Sequence, residues 1–159
     1  MPVELGTQHQ WLQRLVGDWT YEMHAEGPDG EPIIDTGTEF VRSLEGVWTM
    51  AEAHGQGQDG DDITSITTLG YDPARGRFVG TFVSSMMTFL WVYDGALDDD
   101  GRVLSLDAQG PGYPDAAQMM SYRDTIEFRG DDERVHTSSG QMPDGSWHQF
   151  MTMTYRRTL

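Results

Sequence analysis

The chain has 159 residues, no cysteine, and 10 basic against 26 acidic side chains, for a formal net charge of -16. That length suits one domain over 1–159, large enough to bury roughly 70% of the surface its unfolded form exposes. Disulfides, thiolate metal centres and a thiol nucleophile are excluded, and the acidic field repels nucleic acid and anionic membranes.

The opening Met1-Pro2-Val3-Glu4-Leu5 lacks the basic and apolar regions of an export signal, and no apolar run approaches the roughly 20 residues of a membrane span. A soluble, cytoplasmic, acidic protein is the expectation. One helix is predicted, from Thr7 to Leu15. Trp11, Leu12 and Leu15 share a face, Thr7 is available as N-cap, and Gly17 lies just beyond the end.

After the helix come about ten short stretches rich in Thr, Val, Phe, Tyr and Trp. They run from Trp19 to Ala25, Thr36 to Leu44, Val47 to His54, Ile63 to Tyr71, and Arg77 to Met86. The series continues with Thr88 to Leu97, Val103 to Ala108, Gln118 to Phe128, Glu133 to Ser139 and Trp147 to Arg156. Turn chemistry such as Pro28-Asp29-Gly30, Asp72-Pro73 and Pro143-Asp144-Gly145 separates them. The loop from Gly110 to Asp115, with two prolines, is the most irregular. Consecutive strands on short loops form a meander, and closing it removes two exposed edges. The predicted fold is therefore all-β: one antiparallel meander barrel of about ten strands behind a short N-terminal helix.

Side chains alternate between the faces of a strand. On that basis the interior bet is Met50, Glu52, Phe82, Ser84, Trp91, Tyr93, Tyr122, Asp124, Met151 and Met153. Leu90 and Val92 make the second face of their strand apolar too, which calls for a covering helix or a subunit contact; the latter implies a homodimer.

The segment Leu15-Val16-Gly17-Asp18-Trp19, opening the first strand after a helix, resembles the Gly-x-Trp signature of lipocalin-like barrels. The resemblance implies that Trp19 closes one end and that a late basic residue, Arg157 or Arg156, packs on its indole. Most of the chain is similar to an uncharacterised bacterial family, domain of unknown function 1579. The similarity is carried by His9 to Trp19, Leu69-Gly70-Tyr71-Asp72-Pro73, Phe82-Val83-Ser84-Ser85-Met86-Met87-Thr88, Tyr122-Arg123-Asp124 and Thr154-Tyr155-Arg156-Arg157. It implies a calycin-type barrel and no activity.

Glu52 and His54 share a face, so they suit acid–base work or half a metal site, unless they stand at an open end in solvent. No His-x-His or other multi-ligand spacing completes such a site. Asp124 would anchor a ligand's hydroxyl or amine, or else pair with Arg42 or Arg123. Ser84 and Ser85 lack a nucleophile elbow. Ten methionines suit an adaptable cavity or simple core filling. His136 and His148 lie on late strands, where the related nitrobindins hold haem through a histidine, but the glycine-rich pattern that follows their Trp is missing after Trp19. No catalytic residue, metal or resident cofactor is assigned. The leading reading is an uncharacterised binder of a small hydrophobic or amphipathic molecule. The competing ones are an isomerase or cyclase using Glu52, His54 or Asp124, a haem barrel, and a structural protein with a filled interior.

Overall fold

The computed structural model describes residues 3–112 and 115–158. Part of the irregular loop expected over 110–115 lies outside the described residues. A short helix, α1 (Thr7–Gln13), leads into ten strands. These are β1 (Gly17–Glu26), β2 (Pro32–Leu44), β3 (Trp48–Gln56), β4 (Asp62–Asp72), β5 (Arg77–Ser84), β6 (Trp91–Leu97), β7 (Val103–Pro111), β8 (Met119–Phe128), β9 (Glu133–Gln141) and β10 (Trp147–Arg157). Each pairs antiparallel with its sequence neighbours, and β1 pairs with β10, so the meander is a closed barrel.

The helix differs from expectation at both ends. Gly6, not Thr7, is the N-cap, and its N–H donates to Nδ1 of His9 at 3.1 Å. The helix stops at Gln13 because the Leu15 N–H bonds the Leu12 carbonyl, three residues back, and tightens the last turn. Gly17, at φ +136, then swings the chain into β1.

The start of β1, the ends of the even-numbered strands and α1 share one end of the barrel, here called the lower end. There Trp11 meets Phe78 and Phe128 edge-on, at 6.4 and 5.1 Å between ring centres, and its Nε1–H donates to the Gly101 carbonyl. Leu12, Trp19, Val41, Leu69, Phe78, Leu104, Leu106 and Ile126 fill the space above the helix. The Arg157 guanidinium lies 4.2 Å from the Trp19 ring centre, and its Nη atoms donate to the carbonyls of Val16, Arg14 and Asp131. Arg156 is exposed.

The interior bet needs correction on β3. Thr49 is buried opposite Leu69, and Ala51 pairs with the buried Val41, so Thr49, Ala51, Ala53 and Gly55 face inward. Met50 and Glu52 therefore face outward, with His54. The cause is Trp48, whose ring lies on the outer surface against Gly70 of β4, where any larger residue would collide with it. On β6, Trp91 and Tyr93 face inward, while Val92 is 59% exposed on the outer wall.

Candidate functional site

Above the lower core the barrel changes character. One wall, from β2 to β4, presents mostly small groups, Gly37, Ala51, Ala53, Gly55, Ser65 and Thr67, with Asp35 and Ile63 on the same face nearer the upper rim. The facing wall is bulky, with Phe82, Trp91, Tyr122, Met151 and Met153 among its inward residues. Small residues opposite large ones leave room between them, and each of these residues keeps some accessible surface. Tyr21 takes part of this space: its hydroxyl lies over Gly37 and Gly55, where a Cβ on either would strike it. On the outer surface of that thin wall lies an open groove of about 460 Å³, lined by Ile34, Thr36, Thr38 and His54 and floored by Gly37 and Gly55; it is separate from the interior space.

Two polar clusters sit at the depth where the core gives way to this space. In the first, Arg134 is 1% exposed, and its Nη2 donates to Glu39. The guanidinium stacks on Tyr155 and Trp19, 3.9 and 4.5 Å from their ring centres, and Nη1 donates to Nε2 of His136 at 2.5 Å. Its Nε has no partner among the described residues. Burial, and next the Arg134 charge, hold the His136 imidazole well below its usual 6.5. In the second cluster the Tyr93 hydroxyl donates to Asp124 at 2.6 Å, and Ser138 also bonds that carboxylate. Burial pushes the Asp124 carboxyl up, and these two hydrogen bonds pull it back. Burial likewise raises the Tyr93 hydroxyl well above 10.0, with Asp124 adding to it. His136 and Asp124 are deeply enclosed by protein atoms yet retain accessible surface, which must face the interior space.

Of the residues expected inside, the structure brings Phe82, Trp91, Tyr93, Tyr122, Asp124, Met151 and Met153 to the inner wall. Ser84 stands on the same face near the upper rim, opposite Ser65, and accepts the Met86 N–H. Met50 and Glu52 are absent from it. Glu52 instead bonds exposed His54 at 2.7 Å on the outer wall. Asp124 pairs with neither Arg42 nor Arg123, and the latter bonds Asp107. Sequence reasoning missed Glu39 and Arg134, whose signal was a charged residue on the inward parity of its strand: Glu39 beside Val41, Arg134 beside His136.

Haem needs an imidazole lone pair directed at iron. Arg134 takes the Nε2 lone pair of His136, which puts the ring proton on Nδ1, and His148 is exposed beside Glu26. Neither fits an axial ligand. No group of three His, Asp or Glu able to hold a metal forms among the described residues.

A family model described as protein of unknown function (DUF1579) matches residues 4–157. The chain belongs to this family. No curated protein matches this DUF1579 chain. Solved structures share its fold at low identity. Rv2717c from M. tuberculosis is 13% identical with TM-score 0.70, the alignment covering 98% of this chain and 100% of that one. The S-type phycobiliprotein lyase CPES from Guillardia theta is 14% identical with TM-score 0.64, covering 94% and 92%. The protein EF1p2_mFAP2b, bound to DFHBI, is 14% identical with TM-score 0.51, covering 95% and 99%. No helix among the described residues is long and apolar enough to cross a membrane.

Proposed function

We propose that this DUF1579 protein binds a small hydrophobic or amphipathic molecule in the upper half of its barrel and does not transform it. The observation that carries this is the accessible surface on His136 and Asp124, deep inside a wall of Phe82, Trp91, Tyr122, Met151 and Met153. Apolar contact on that wall supplies affinity, and the few polar groups at its base fix orientation. The DFHBI held by EF1p2_mFAP2b is a precedent for the fold, not for this sequence. The non-catalytic reading follows from where the reactive groups stand. Glu52 and His54 are outside, and Asp124 is engaged by Tyr93 and Ser138.

Titration with N-phenylnaphthylamine, a neutral dye that brightens in apolar surroundings, tests the proposal. Saturable binding near one dye per chain is expected. The Ala53→Trp variant, which fills the small-residue wall, should weaken binding by at least about tenfold while circular dichroism is unchanged. Absence of saturable binding to the unaltered protein would end the proposal, as would full binding by a folded Ala53→Trp protein.

A further inference from the structure

The chemistry of the bound molecule can be narrowed from one side chain. Arginine carries hydrogen-bond donors and no acceptor, so the 2.5 Å contact from Arg134 Nη1 makes Nε2 of His136 the acceptor. The ring proton then sits on Nδ1. This choice is held rigidly, because Arg134 is itself fixed by Glu39 and by stacking on Trp19 and Tyr155. The imidazole is pinned as well, against the Tyr155 ring at 4.4 Å between centres. Nδ1–H makes no hydrogen bond among the described residues, although the ring keeps accessible surface within the barrel. A donor without a partner in an apolar enclosure is costly unless something fills it.

We infer that the Nδ1–H of His136 is the deep hydrogen-bond donor of the binding site, and that its ligand is an uncharged, largely apolar molecule with an acceptor oxygen such as a ketone or ester carbonyl. The charges around the site favour a neutral ligand. Arg134 is already neutralised by Glu39, Asp124 adds an acid to the same space, and the chain as a whole carries -16. Among the described residues the cation beside His136 is Arg134, already paired with Glu39, so a carboxylate would gain little there. Across the strands on either side, Ile126 and Met153 flank the imidazole, which suits the carbon frame of such a molecule.

This inference rests on the binding function proposed above, and a matched pair of probes separates the two. Acetylnaphthalene and ethylnaphthalene differ by a carbonyl oxygen at nearly constant shape. After correction for their partition out of water, the ketone should bind the unaltered protein about tenfold more tightly. In His136→Phe that ratio should fall to about one with ethylnaphthalene binding kept, and His136→Gln, which restores an N–H donor, should recover part of it. Nitrogen NMR of the free protein gives an independent reading: His136 should show a protonated Nδ1 and a bare Nε2 near neutral pH. A proton on Nε2, or a charged ring, overturns the inference whatever binds. Ethylnaphthalene binding with no ketone preference overturns this inference alone, whereas failure of both probes overturns it together with the binding function.

Discussion

Arg134 and Glu39 are both out of water, and each depends on the other. Removing one leaves an uncompensated charge in the barrel, so Glu39→Ala should lower stability by about 3–5 kcal/mol in urea unfolding. Replacing both, with Glu39→Leu and Arg134→Met, should recover most of that loss, because the cost lies in the orphaned charge rather than in the missing attraction. His136 carries a second prediction. Folding holds it neutral, while the unfolded chain protonates it below about 6.5, so the unfolded state binds more protons there. The contribution of His136 is therefore complete above pH 6.5 and is lost as pH falls below that value. Asp124 works in the other direction: its carboxyl is raised from 3.8 on folding, so stability falls as pH climbs through the carboxylate range. Comparing unaltered protein with His136→Phe in urea at several pH values isolates the histidine: the unaltered protein should lose stability relative to the variant only on the acid side.

At the level of elements, α1 is a stopper. Trp11 meets Phe78 and Phe128 and donates to Gly101, so Trp11→Ala should cost about 3–5 kcal/mol in thermal or urea unfolding. Dye binding should survive this change, since the helix lies at the opposite end from the accessible wall. The strands were legible because most of their boundaries are written in turn residues: β4 and β9 differ from expectation by one and two residues, but β2 starts at Pro32 instead of Thr36, β6 at Trp91 instead of Thr88, and β7 runs to Pro111 instead of Ala108. The facing of β3 was not legible. Period two allows two solutions, and the set Trp48, Met50, Glu52 and His54 looked more like an inner face than Thr49, Ala51, Ala53 and Gly55. Burial follows from the partner strands: Leu69 opposite Thr49 and Val41 opposite Ala51 set the parity, and Trp48 lies outside because Gly70 makes room there. Small inward residues are a weak hydrophobic signal even when they line an interior.

For the whole molecule, the net charge of -16 on one closed barrel produces self-repulsion that salt should relieve. Raising sodium chloride from about 0.02 to 0.5 M should raise the melting temperature, and a flat or falling trend in scanning calorimetry would refute that. Long-range assembly is also why the polar clusters escaped the sequence. Glu39 and Arg134 are 95 positions apart and meet only because β1 bridges them: Trp19 pairs with Glu39 on one side, and Tyr21 with Tyr155, the neighbour of Arg134, on the other. That same seam between β1 and β10 has a consequence for biosynthesis. The barrel's first strand waits for its last one before it has a partner on both sides. Until Tyr155 and Arg157 emerge, the nascent sheet keeps two raw margins, Trp19 lacks the Arg157 lid, and Arg134 lacks one of its two aromatic platforms. Ring closure thus waits for the β10 segment, and chaperones that shield sheet margins should matter most in that interval.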